Sequence, residues 1–167
     1  RERHHAEVVV RAPHPRILLE RRAQRRARAV VLAGIAVRAV GRDGARLASL
    51  VERGARACVG DQTDTAFLTA QLRGADAAFV MVPPDYTAAD LRASYRRHGD
   101  SLAWALTAAA TPFAVTLSSV GAERSEGTGP IVGLHDLEQR LNGIAGLSAV
   151  HLRAAYFMEN QLFNVGT

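Results

Sequence analysis

The residues best placed to do chemistry in this 167-residue chain are a serine pair, Ser118 and Ser119. They follow Phe113 to Leu117, a short apolar run with β-branched residues, inside the stretch Pro112 to Ala122. A run of that kind, ended by small polar residues, suits a central strand of a parallel sheet. Ligands of open α/β sheets lie at the carboxyl ends of the strands, which is where both hydroxyls fall. Downstream, His135 and Glu138 are three apart and share one face of a helix, and an imidazole can supply a proton near neutral pH. The plainer readings are a turn-forming serine pair and an exposed His–Glu pair.

The surrounding pattern supplies the elements that would hold these groups. From residue 34 onward strand and helix alternate with short connections, as in βαβ units of a parallel sheet. Ile35 to Val40 reads as a strand, and Asp43 caps a short helix with Leu47, Leu50 and Val51 inward and Gly54 at its end. Ala57 to Val59 is the next strand, closing on Gly60-Asp61. Thr63 or Asp64 then caps a helix carrying Phe67, Leu68 and Leu72. Ala77 to Val82 is a buried strand that Pro83-Pro84 cannot continue. Thr87 and Asp90 have capping-box spacing and open a long helix with Leu91, Tyr95, Leu102 and Leu106 buried and Trp104 close by. Leu134, Leu137 and Leu141 mark a further helix, and Ala149 to Leu152 a last strand. The fold expected is α/β, a Rossmann-like doubly wound parallel sheet with helices on both faces.

Charge divides the chain in two. All 21 basic residues are arginine, and nine of them fall in residues 1–33 beside three glutamates. The net charge of +5 is therefore +6 from that arm and −1 from the remainder, so the basicity belongs to the arm. Nothing in residues 34–167 offers a basic face interleaved with aromatics, which argues against nucleic-acid binding. No apolar run approaches the ~20 residues of a membrane span. Arg21 to Arg28 followed by Ala29 to Val37 imitates a signal peptide, but Arg38 cuts the run short and no cleavage site follows. The cytoplasm is the expected location. Cys58 stands alone, which excludes an internal disulfide and reads as a buried inert thiol. A start at Arg1 and an end just after a helix start suggest a piece of a longer protein.

Six segments together resemble the NmrA-like family, NAD(P)-binding relatives of the short-chain dehydrogenases/reductases. They are VRAVGRD at 37–43, VGD at 59–61, FVMVPPDY at 79–86, LSSVGA at 117–122, GTGPIVGLHDLE at 127–138 and LRAAYFMEN at 152–160. The resemblance spans residues 34–165 and implies a dinucleotide lying across the strand ends. It implies that Arg42 reads a 2′-phosphate, favouring NADPH over NADH, with Arg38 a neighbouring candidate on the same strand face. Asp61 would contact the adenine, and Val82 and Pro83 would line the adenosine side. Ser118 and Ser119 would face the nicotinamide, with Tyr86, Tyr156, Phe157 and Met158 walling a flat apolar substrate. Reductases of this kind with full machinery carry a tyrosine and a lysine four apart, and this chain has no lysine. Its absence favours reduction of a quinone or similar carbonyl acceptor, where the cofactor carries the chemistry. The other implied reading is an NAD(P)-sensing regulator without turnover, or a fragment that binds nothing.

Residues 1–33 depart from the family pattern. They contain no glycine, whereas a dinucleotide site needs glycines for its tight turn and for close approach to the pyrophosphate. Val8-Val9-Val10 could be the first strand, but Arg11-Ala12-Pro13-His14 follows in place of the turn. The arginine density is that of a high-GC frame translated out of phase. Codons for Arg-Ala-Pro-His read one base upstream permit Thr-Gly-Ala-Thr, the family's usual opening; a diverged arm is the competing account. Residues 1–33 are thus expected to be an arm or out-of-frame start, and 34–167 the binding domain. With the first strand and glycine turn absent or degraded, the sheet would lack its central member and the stretch 112–122 a partner.

Overall fold

The structure, a computed structural model, describes residues 35–155 and 157 together with the backbone of 8–12. Six strands form one sheet: β1 Val8–Ala12, β2 Ala36–Gly41, β3 Arg56–Val59, β4 Ala77–Val80, β5 Phe113–Ser119 and β6 Ser148–Ala154. Their order across the sheet is β3-β2-β1-β4-β5-β6. Among the described residues four helices accompany them: α1 Gly44–Val51, α2 Thr65–Leu72, α3 Leu91–Ala108 and α4 Val132–Asn142, the last entered through a 3-10 turn at Gly129–Ile131.

Strand alternation sorts the core into two layers. Ala39, with Val37 and Ala57, packs on Leu47 and Leu50 of α1. Their neighbours of opposite parity, Val40 and Cys58, join Leu68 and Leu72 of α2, Leu102 and Leu106 of α3, and Leu137 and Leu141 of α4. Helices therefore cover both faces, and Cys58 is buried as expected. On β5 and β6 the α4 side is filled by Ala114, Thr116 and Ser118, while Phe113, Val150 and Leu152 on the other side stay exposed.

Aspartates start three of the helices. Asp43 accepts from the Ala45 amide, Asp64 from Phe67 and Asp90 from Ala93, each satisfying an amide that has no partner within its helix. Thr87 is not part of a capping box. Asp85 takes both its amide and its hydroxyl into a turn, and α3 begins four residues later at Leu91. Trp104 lies off the buried stripe and is 69% exposed. β4 stops at Val80, short of the expected Val82, because its ladder with β5 ends at the Val80–Thr116 pair. Val82 is buried without being paired in the sheet. At the opposite edge Arg38 donates to the carbonyls of Gln71 and Arg73 at the end of α2. That use of Arg38, closing a helix C-terminus, is structural.

The central slot is filled, and filled backwards. β2 and β3 are parallel, as are β4, β5 and β6. β1 lies between β2 and β4 and is antiparallel to both, with Val8 opposite Val40, Ala12 opposite Ala36 and Arg11 opposite Ala77. The sheet is thus not missing its central member. β5 also keeps two partners, β4 and β6, and does not touch the β1 slot. Three consecutive valines suffice for a buried strand slot whichever way the strand runs, since both directions satisfy the ladder.

Candidate functional site

At the strand-end edge β5, α4 and β6 meet. Ser118 pairs with Arg153 across the β5–β6 ladder, and Glu138 of α4 lies over both. The Ser118 hydroxyl donates to Glu138 Oε1 at 2.5 Å. Arg153 donates from Nε to the same oxygen at 3.1 Å and from Nη2 to Oε2 at 2.6 Å. Glu138 is 1% exposed, a buried carboxylate with a complete donor set. Burial pushes its pKa up, but the bonds from Arg153 and Ser118 outweigh this and hold it below the usual carboxylate range. It is not an exposed partner of His135, as the spacing suggested.

His135 turns to the loop after β5, its Nδ1 2.8 Å from the Ala122 carbonyl. A carbonyl only accepts, so Nδ1 carries the proton there and Nε2 is the basic nitrogen. The same loop is held by Glu123, which accepts from the Gly121 amide and lies 3.7 Å from Arg153 Nη1. Deeper in the β5–β6 seam, His151 bridges Thr116 Oγ1 at 2.7 Å and Asn142 Oδ1 at 3.0 Å. Burial lowers the His151 pKa, Glu138 raises it and Arg153 lowers it, with a net fall.

The other half of the edge gathers Arg42, Asp61, Asp85, Val82 and Pro83 at the ends of β2, β3 and β4. Asp61 Oδ1 accepts from the amide and hydroxyl of Thr63, both at 2.8 Å. Burial raises the Asp61 pKa, but the Thr63 bonds, Arg42 and His98 together depress it. Asp85 is depressed in the same way, first by Thr87 and also by Arg42 and His98. Arg42 is exposed and shares this field with two ionised carboxylates. The backbone of β3 turns out at Gly60, where a Cβ would come 2.5 Å from the Phe67 ring, so a side chain there would require the ring to move.

The expected site residues thus form two groups. Ser118, Ser119 and His135 belong to the β5–α4 end, and Arg42, Asp61, Val82 and Pro83 to the β2–β4 end. Ser118 is buried with its proton given to Glu138, and the Ser119 hydroxyl donates to the Val120 carbonyl at 3.1 Å. Tyr86 and Phe157 are exposed. Tyr156 and Met158 lie outside the described residues. Asp85 and Arg153 escaped the sequence reading, which paired Glu138 with His135 and did not expect it buried. Glu138 falls in the Leu134–Leu137–Leu141 stripe, and a carboxylate inside an apolar stripe was the signal available for it.

A dinucleotide fits this edge only in part. Arg42 and the strand-end loops suit an adenosine moiety, and the open edge at β5 suits a ring. The pyrophosphate has no cradle in β1. That strand enters at the strand-end edge with Val8 and reaches the opposite edge with Ala12. One first-turn amide in each of α1, α2 and α3 is taken by its own aspartate, whereas α4 begins without a side-chain cap.

No family model and no curated protein matches the chain. Solved structures do. The NADPH-dependent quinone oxidoreductase QOR2 of Escherichia coli, complexed with NADPH, is similar over 76% of this chain and 42% of its own, at 22% identity and a TM-score of 0.61. A second structure of that enzyme gives 22% identity over 75% and 39%, at 0.56. The triphenylmethane reductase of Citrobacter sp. gives 18% identity over 74% and 41%, at 0.62. The likeness is one of fold. The chain spans about two-fifths of the length of these proteins. Among the described residues no helix is long and apolar enough to cross a membrane.

Proposed function

We propose that the chain is the nucleotide-facing part of an NmrA-like reductase that takes NADPH in preference to NADH and serves a quinone or similar carbonyl acceptor. Placement of Arg42 at the end of β2, on the open edge of a sheet in the order β3-β2-β1-β4-β5-β6, carries this reading. The fold likeness to NADPH-dependent quinone oxidoreductases supports it. In this reading Arg42 meets the 2′-phosphate, while Asp61, Val82 and Pro83 border the adenosine. Ser119 and His135 border the reacting end, with Tyr86 and Phe157 toward the substrate. When bound, NADPH supplies the hydride. The chain's own residues position the two ends and exclude water. His135 holds a proton acceptor at Nε2.

The test is titration with NADPH and NADH, in the parent and in Arg42→Ala. NADPH should bind more tightly in the parent, and Arg42→Ala should remove the preference while leaving NADH unchanged. Equal affinities in the parent would sink the assignment.

A second reading is favoured by the proton inventory at β5. The Ser118 proton goes to Glu138 and the His135 Nδ1 proton to Ala122, and the chain has no lysine. An NADP-sensing protein that works through a protein partner needs none of these groups free. NADPH oxidation with a panel of quinones separates the two: turnover supports the reductase, and binding without turnover supports the sensor.

A further inference from the structure

We infer that Arg153 is a positioning residue: through Glu123 it keeps the Ala122 carbonyl on His135 Nδ1 and so leaves Nε2 as the basic nitrogen. Its bearing on turnover rests on the reading above that sets His135 at the reacting end.

One guanidinium serves two carboxylates. Its Nε and Nη2 donate to Glu138, and its Nη1 lies 3.7 Å from Glu123 Oε2. Glu138 is buried on α4, whereas Glu123 is exposed in the loop after β5. An exposed ion pair usually contributes little, because two long side chains must be ordered to make it. Here the fork on Glu138 has already ordered Arg153, and Glu123 meets a fixed cation.

Glu123 in turn closes the loop. The same Oε2 accepts from the Gly121 amide at 3.0 Å. Two overlapping turns surround that bond, from the Ala122 amide to the Ser119 carbonyl and from the Arg124 amide to the Gly121 carbonyl, both at 3.1 Å. Gly121 takes φ +97, which glycine adopts without steric cost. Just upstream the Val120 amide donates to the carbonyl of Ala154, the residue after Arg153, so the loop and Arg153 share one support. Ala122 is fully buried, and its carbonyl meets His135 Nδ1 at 2.8 Å.

A carbonyl cannot donate, so the imidazole keeps its proton on Nδ1 while the loop stays closed. The bond made by one ring nitrogen decides the role of the other. Arg153 therefore acts on His135 through Glu123 and the Ala122 carbonyl.

The experiment is nitrogen NMR of the full chain labelled at histidine, at a pH where the imidazole is neutral. The His135 signals are assigned by their loss in His135→Gln. The parent should show a protonated Nδ1 and a bare Nε2. Glu123→Ala, an exposed change, should shift the tautomer ratio toward protonated Nε2 by about twofold to tenfold, the range of one ordinary hydrogen bond. Glu123→Gln should keep the parent pattern, because its amide oxygen can accept from the same two donors. Arg153→Lys should behave like Glu123→Ala, since one ammonium does not reproduce the fork. Should Arg153→Lys fail to fold, Glu123→Ala against Glu123→Gln decides. Arg124→Ala, the next residue of the loop, should change nothing.

A parent with its proton on Nε2 would overturn the inference. So would a parent-like ratio in Glu123→Ala or in folded Arg153→Lys, or an equal shift in Arg124→Ala, which would mean general loosening of the loop. NADPH oxidation with quinones reads the bearing on turnover. Glu123→Ala should lower kcat by a factor similar to the tautomer shift and leave KM for NADPH unchanged. An unchanged kcat beside a shifted tautomer would remove His135 from the reaction. Absence of turnover in the parent would refute the reductase reading, and the tautomer ratios would still decide whether Arg153 positions His135.

Discussion

Arg153 holds the Glu138 carboxylate side-on, with Nη2 2.6 Å from Oε2 and Nε 3.1 Å from Oε1, across the seam between β6 and α4. A buried carboxylate in such a fork is satisfied only while the fork is present. Arg153→Met should leave the charge of Glu138 stranded. Glu138→Leu should cost about 2–3 kcal/mol by removing the acceptor of Ser118 and Arg153. In urea denaturation the double variant should be more stable than Arg153→Met alone, because no unpaired charge is then buried. A double variant as unstable as the sum of the singles would mean that the two groups act independently.

Acid should weaken the β5–β6 seam in two stages. His151 and Glu138 both have pKa values depressed below their ordinary 6.5 and 4.5. For a depressed group the unfolded chain binds protons first, so its stabilisation is complete above the ordinary value and is lost as pH falls through the folded one. The imidazole stage comes first, below 6.5, and the carboxylate stage follows below 4.5. Chemical denaturation against pH should show both, and His151→Gln should remove only the upper. A flat profile between neutrality and 5 in the parent would contradict the assignment to His151.

Gly133 is the contact point of α3 and α4. A Cβ there would meet the Tyr95 ring at 2.4 Å. Gly133→Ala should destabilise by about 1–3 kcal/mol through overpacking, and Tyr95→Leu in the same chain should recover part of it. Burial, with a smaller contribution from Tyr86, pushes the Tyr95 phenol up to about 12. Phenol absorbance titration checks the environment independently of stability.

Ala110 follows α3 with φ +50, the one non-glycine residue with positive φ among those described. The left-handed region suits glycine, so Ala110→Gly should raise stability by up to about 1 kcal/mol. The strain relief should exceed the penalty from the extra conformational freedom that a glycine gives the unfolded chain. Thermal denaturation gives the sign directly.

Much of the fold was legible because strand and helix periods, aspartate caps and prolines are local signals. Asp43 and Asp64 stand where the caps form, and Phe113 to Leu117 lies inside β5. The direction of β1 was not legible, since three valines carry no sign of which way they will run. Nor was the Thr87–Asp90 spacing decisive: Asp85, two residues before Thr87, competes for it and wins. Ser118 was placed at a strand end from its sequence position, but what it bonds was not legible. Glu138 and Arg153 are 15 residues apart in sequence and meet only because α4 returns over β6. Hydrogen bonds of that reach leave no period to read.

The reversal of β1 changes what the chain between β1 and β2 has to do. Two parallel neighbours must be joined by a crossover that carries the chain the length of the sheet. Ala12 and Ala36 instead face each other as a cross-strand pair, so the residues numbered 13–35 begin and end side by side. A connection between such ends has no distance to span, and added length raises the entropy of closing it. Shortening it to a hairpin turn would recover roughly 1.5 kcal/mol on the logarithmic scaling of loop closure. The chain after β1 thus has no need to travel back along the sheet before β2 can begin.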